Sequence, residues 1–235
     1  MAMMSIAATD GSGSFNALVV EPKQTPAGSV VVIQEIFGIN DAMRATCDWV
    51  ADLGFIAVCP DLFWRLEPGV DITDKTDAEW QKAFGLMQRF DQDLGIADLK
   101  ATLAVARSLP GSNGRAGTMG FCLGGLMAFK MAEQSDADVN VSYYGVGLDG
   151  LIGDLDKVSS ALVVHIADED KFFPPEGRAK LMDAVKGHPK IAAYRYAGAD
   201  HAFARIGGVH WNGLAATIAN GRTAEALAET LSQAA

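Results

Sequence analysis

The run Gly120-Phe121-Cys122-Leu123-Gly124-Gly125 constrains this chain more than any other segment. It follows the pattern glycine, any residue, nucleophile, any residue, glycine, in which a strand turns sharply into a helix with the central side chain at the apex. Such a turn imposes strained dihedrals on the central residue. Side chains two positions before and after it would collide across the turn. Gly120 and Gly124 remove that collision. Residues 115–119 read as the entering strand and residues 126–133 as the leaving helix. The competing reading is a structural cysteine in a patch of small residues, since free cysteine is among the most buried residue types. The flanking strand and helix favour the nucleophile.

Alternation of strand and helix runs along the whole chain. Residues 15–20 read as an early strand at a sheet edge. The β-branched run 29–34 predicts a strand buried on both faces. Met43, Cys47 and Val50 have helical spacing within 40–53, and Gly54 stops that helix. A strand over 55–59 ends at Pro60, and a turn-rich connection covers 61–76. Residues 77–108 read as helical in two parts with a break near Gly95. Strands over 139–144, 161–166 and 191–196 follow, with helices over 174–185 and 214–231. Repeated strand–helix units imply one α/β domain over 1–235, with a mostly parallel sheet and helices on both faces. In that architecture reactive groups gather at the carboxyl ends of the strands.

Composition excludes several partners. A formal charge of −10 over 235 residues disfavours nucleic acid and anionic membrane surfaces. Three cysteines, Cys47, Cys59 and Cys122, make no disulfide framework and suit a reducing, cytoplasmic setting. The apolar start, residues 1–8, is short and lacks basic residues, so it does not read as a signal peptide. No metal or organic cofactor is expected, because no ligand spacing and no dinucleotide-binding glycine pattern occurs.

A nucleophile needs a base and a group to orient it. His188 lies in a turn, and His165 lies inside an apolar strand as a core residue. His210 stands beside Trp211, where packing and pocket readings are equally open. His201 follows the last strand, on a loop that can carry an imidazole over Cys122. Asp168, Glu169 and Asp170 end the preceding strand, and Asp170 is preferred because it leads through Pro174 into a helix. Cys122, Asp170 and His201 thus occur in the order nucleophile, acid, histidine known from α/β-hydrolases. Glu35 ends a buried strand, and Arg205 is its expected counter-ion. The Ile36 and Leu123 amides are the expected oxyanion donors, the second aided by its helix N-terminus.

The segments Glu35–Ile39, Pro60–Leu62, Gly120–Gly125, Tyr143–Val146, Asp170–Phe172 and His201–Arg205 together resemble the dienelactone hydrolase family over nearly the whole length. The resemblance implies an α/β-hydrolase fold and a triad of Cys122, Asp170 and His201. Glu35 and Arg205 match residues that control the thiol and bind a substrate carboxylate. The implied pocket includes Phe37, Trp80, Phe84, Tyr144 and Phe172. The implied reaction is hydrolysis of a small unsaturated lactone or ester carrying a carboxylate, dienelactone to maleylacetate in the namesake case. The alternatives are a family member acting on a different lactone or ester, a non-catalytic ligand-binding protein on the same fold and a redox thiol protein. A monomer or weak homodimer is expected. One departure stands out: Trp80 occupies the position where the namesake enzymes are expected to place an arginine on the substrate carboxylate, and Phe84 replaces a tyrosine. In the implied mechanism a substrate carboxylate at Arg205 frees Glu35 to take the thiol proton. Cys122 then forms an acyl-enzyme, and His201 activates water to release it.

Overall fold

Apolar runs without alternation are stable only where both faces of a strand are covered. In the computed structural model, which describes residues 1–232, these runs form the middle of an eight-stranded sheet. β1 (Ala2–Ala7) and β2 (Ser14–Val20) precede β3 (Ala27–Ile33) and β4 (Ile56–Pro60), and the last two bury every residue. β5 (Ser112–Phe121), β6 (Val139–Tyr143), β7 (Ala161–Ala167) and β8 (Ile191–Tyr196) complete the sheet. The strand order is β1-β2-β4-β3-β5-β6-β7-β8. β1 with β2 and β2 with β4 are antiparallel, and every other pairing is parallel.

The connections are helices α1 (Asp41–Asp52), α2 (Asp77–Arg89), α3 (Gln92–Ser108), α4 (Leu123–Gln134), α5 (Pro175–Val185) and α6 (Gly213–Leu231). Two short 3₁₀ turns, Leu148–Gly150 and Ile152–Lys157, lead from β6 towards β7. α3 and α4 pack on one another over β5, and α6 crosses β5, β6 and β7. No helix among the described residues is long and apolar enough to cross a membrane.

Two local readings change. The edge strand is β1, not β2, because residues 2–7 pair along the outer side of β2. The break in the long helical stretch falls at Phe90 and Asp91, not at Gly95. Asp91 caps α3 by accepting from the amides of Asp93 and Leu94 at 2.9 and 3.0 Å. Gly95 lies inside α3 because a side chain there would strike the Phe90 ring and the Met127 methyl group.

His165 is a core residue, held by Tyr196 on β8 at 2.8 Å and Thr223 on α6 at 2.9 Å. Full burial pushes its imidazole down to about 3, so the ring is neutral in the folded protein. Cys47 and Cys59 are free, buried thiols in α1 and β4.

The α3 cap offers a direct test of the helix boundary. Asp91→Ala should lower stability by about 1 kcal/mol in urea unfolding, while Asp91→Asn stays near the parent.

Candidate active site

Five neighbouring strands, β3, β5, β6, β7 and β8, run parallel, and their carboxyl ends lead into Glu35, Cys122, Tyr144, Asp170 and His201. Residues far apart in sequence therefore meet along one edge of the sheet.

Cys122 stands between the end of β5 and the start of α4 with φ 56° and ψ −113°. Its amide donates to the Tyr143 carbonyl at 3.1 Å, which fixes the turn against β6. A β-carbon at Gly120 would collide with the Gly124 carbonyl. One at Gly124 would strike the carbonyls of Ile33 and Gln34, and one at Gly125 that of Tyr143. Three glycines thus let the first turn of α4 sit against the backbones of β3 and β6. Cys122 is 5% exposed at the apex.

His201 and Asp170 are also nearly buried, and His201 Nδ1 lies 2.7 Å from Asp170 Oδ2. Nε2 is left free of Asp170, and the ring shares the cavity lining with Cys122. Burial opposes a charged imidazole, but the interactions with Cys122 and the Asp170 carboxylate outweigh it and push His201 up to about 10. The second Asp170 oxygen accepts from the Phe172 amide at 2.7 Å.

The neighbouring acids are otherwise engaged. Asp168 pairs with Arg195 at 2.7 Å. The Glu169 amide donates to the Ala199 carbonyl at 2.9 Å. Arg178, a residue the sequence reading did not single out, reaches from α5 to the carbonyls of Asp168 and Asp170 at 2.6 and 2.9 Å. It braces the loop that carries the acid.

Glu35 and Arg205 form a two-point pair, Arg205 Nε and Nη2 donating to Glu35 at 2.5 and 3.0 Å. The sequence reading missed a third member. Arg205 Nη1 donates to Asp74 at 2.5 Å, and all three side chains are buried. Burial works against the Arg205 charge, and Glu35 and then Asp74 more than restore it, so the guanidinium is held above its usual range. Asp74 lies on the long connection after β4, which is stitched to the Glu35 loop: Ile39 N–H donates to Val70 and Ile72 N–H to Phe37, each at 3.1 Å. The Thr76–Glu79 capping box was readable as a helix start, but it does not tell that Asp74 turns inward.

A cavity of about 160 Å³ opens over Cys122 and His201, with Arg205 at one side. Ile36, Phe37, Trp80, Phe84 and Phe172 line it. Met87 and Val146 complete the wall and were not anticipated. The Trp80 ring meets Phe37 edge-on at 5.0 Å and Phe84 at 5.3 Å, and its N–H donates to the Asp74 carbonyl at 3.0 Å. Arg89 is remote from this wall and donates to the Gly85 carbonyl of its own helix.

Tyr144 does not line the cavity. It is packed beneath, its ring 5.2 Å from His201, with φ 37° and a buried hydroxyl that has no hydrogen-bond partner among the described residues. Ile36 and Leu123 flank Cys122, and neither amide donates to another backbone carbonyl among the described turns and caps. His210 is exposed, beside Asp200 at 3.3 Å and outside the cavity. His188 accepts from the Lys190 amide in its turn. A wider open groove of about 500 Å³ lies at the amino ends of β7 and β8 and contains none of these groups.

The description "dienelactone hydrolase family" attaches to a family model that matches residues 15–231. A relative from Azospirillum brasilense is 51% identical over 226 residues, covering 95% of this chain and 96% of its own. A carboxymethylenebutenolidase of Pseudomonas putida is 38% identical over 225 residues, covering 96% of this chain and 95% of its own. Among solved structures, one from Klebsiella pneumoniae subsp. pneumoniae matches with a TM-score of 0.83 at 21% identity, covering 97% of this chain and all of that one. The dienelactone hydrolase of Anabaena variabilis matches at 0.69 and 15% identity, covering 98% of each chain. These structural likenesses agree with an α/β-hydrolase fold built on a mostly parallel sheet. With the family pattern matched from β2 to the end of α6, the chain belongs to the dienelactone hydrolase family.

Proposed function

We propose that this protein is a cysteine hydrolase that opens small lactones and esters through an acyl-enzyme on Cys122. One observation carries the reading: Cys122, at φ 56°, shares the lining of an apolar cavity with a histidine whose Nδ1 is held by a buried carboxylate. That arrangement supplies a nucleophile, a proton acceptor and an orienting acid in one line.

In this reading the thiol proton already sits on His201 Nε2, which leaves Cys122 as the attacking thiolate, while Asp170 holds Nδ1 and steadies the imidazolium. The Cys122 sulfur attacks the carbonyl carbon. The carbonyl oxygen becomes an oxyanion beside the Ile36 and Leu123 amides. The ring C–O bond then breaks, and the His201 imidazolium gives its proton to the departing enolate oxygen, which leaves the ring neutral. An enolate leaves more easily than an amine, so enol lactones and activated esters suit a thiolate better than amides do. His201 next removes a proton from water, hydroxide attacks the thioester, and the carboxylate product leaves as the thiol is restored.

Both Glu35 oxygens accept from Arg205, so the thiol proton passes to His201 here and Glu35 serves to hold Arg205. Dienelactone, giving maleylacetate, is the family's reference reaction and the first substrate to try. A redox role is less well supported, because Cys47 and Cys59 are buried away from the cavity that Cys122 lines.

Cys122→Ala should stay folded but lose hydrolysis of p-nitrophenyl acetate by about a thousandfold or more, and Cys122→Ser should retain only a trace. Full activity in the alanine variant would place the nucleophile elsewhere.

The His201 ion pair also predicts a pH dependence of stability. Its imidazole rises from an ordinary 6.5 to about 10, so the stabilisation is complete below 6.5 and fades as pH climbs towards 10. The stability difference between the parent and His201→Asn, measured by urea unfolding, should therefore shrink from pH 6.5 to pH 10. A difference that widens with pH would mean a ring buried neutral.

A further inference from the structure

The cavity wall is apolar except around Cys122, His201 and Arg205. Among the described residues that line the cavity Arg205 is the one permanent cation, so it decides how the site receives a charged substrate. Its three guanidinium nitrogens all donate to carboxylates already, Nε and Nη2 to Glu35 and Nη1 to Asp74. With both acids ionised, the cluster sums to one negative charge. It is nearly dry: Glu35 is 2% exposed, Arg205 6% and Asp74 9%. A substrate carboxylate would become the third on a single guanidinium, or would have to displace one of the two.

Displacement is opposed on both sides. Glu35 is gripped at both oxygens, on a loop bonded through Phe37 and Ile39 to residues 70–72. The Asp74 segment is anchored at either end. Glu79 accepts from the Thr73 amide at 2.8 Å and from the Thr76 hydroxyl at 2.7 Å, and Trp80 donates to the Asp74 carbonyl. The Phe37 ring covers the guanidinium at 4.9 Å. Trp80 itself presents an indole to the cavity at the place where the family resemblance implies a second cation.

We propose that Asp74 sets the charge preference of this site: by taking the third nitrogen of Arg205 it leaves a surplus negative charge beside the cavity, so that the site takes uncharged lactones and esters and discriminates against those that carry a carboxylate. The proposal rests on the acyl-enzyme reading above. The substrate's apolar substituent packs against Trp80, Phe84 and Phe172. Asp74 acts through Arg205 and is a specificity-determining residue without touching the reacting atoms.

The test uses two enol lactones with the same ring, trans-dienelactone, which carries a carboxylate, and 5-methylenefuran-2(5H)-one, which does not. Ring opening is followed by ultraviolet absorbance. The parent protein should show a kcat/KM for the neutral lactone about tenfold or more above that for dienelactone. In Asp74→Asn that ratio should fall by about tenfold, through a lower KM for dienelactone, whereas Asp74→Glu, which keeps the charge, should hold the parent ratio. A parent that prefers dienelactone would overturn the proposal, as would an Asp74→Asn protein in which both lactones change equally. Should Asp74→Asn not fold, the parent ratio together with Asp74→Glu and Asp74→Ser gives the same decision. Survival of neutral-lactone hydrolysis in Cys122→Ala would instead defeat the acyl-enzyme reading, whatever the ratio.

Discussion

The site depends on a backbone conformation that a side chain would forbid. Cys122 sits at φ 56°, a region costly for any residue with a β-carbon. The turn persists because its surroundings leave no alternative. Its amide is bonded to Tyr143, and Gly120, Gly124 and Gly125 press against backbone carbonyls that cannot retreat, since they belong to buried strands or to the helix itself. The cost of order 1–3 kcal/mol is spread over the packing of β3, β5, β6 and α4. In return the sulfur stands clear of its own chain, at a helix N-terminus, where the field favours negative charge. Substituting serine or alanine at 122 leaves this frame intact; a side chain at 120 or 124 would not.

A second constraint is electrostatic. Burying one arginine and two carboxylates costs several kcal/mol per ion, and hydrogen bonds recover it only when the geometry is good. Glu35, Arg205 and Asp74 meet that condition with three donor contacts and a ring face over the guanidinium. Three loops supply the three residues, so the cluster also ties together the chain after β3, after β4 and after β8. Removing one partner would strand the others in a dry pocket, at a cost of about 3–5 kcal/mol. Asp74→Asn retains a hydrogen-bonding oxygen and is the gentler perturbation for that reason.

Much of this was readable before any coordinates. Cys122, His201 and Asp170 announce themselves because each follows a segment readable as a strand, and because the parallel topology sends these carboxyl ends to one edge. Glu35 stands out as a charge closely following the apolar run of residues 30–33. Asp74 carries no such mark. It shares a turn-rich stretch with Asp71 and Asp77, and only the folded path of the loop turns one of the three inward. Arg178 is hidden for a similar reason: as one cation on an amphipathic helix it looks solvated, yet it is buried under the loop it braces. β1 was passed over because its alternation is weak and its value lies in pairing with β2. The break at Asp91 was missed because glycine is a common signal for a helix end, whereas here it answers the bulk of Phe90.

The two charged assemblies divide the work of the cavity between them. On one side Asp170, His201 and Cys122 can move a proton without changing their total charge, because the thiol's loss is the imidazole's gain. On the other side Arg205 is already over-matched by Glu35 and Asp74, so little of its field is left for an oxyanion. In the proposed reaction the developing negative oxygen must therefore rely on neutral donors, the Ile36 and Leu123 amides. Fixed backbone dipoles at a helix N-terminus need no reorganisation when charge appears, and in an apolar cavity their field is weakly screened. A free arginine beside the nucleophile would hold anionic substrates and products alike. In the proposed reaction, neutralising it with Asp74 would trade that grip for a site whose affinity comes from aromatic surface and whose catalytic field comes from the peptide backbone.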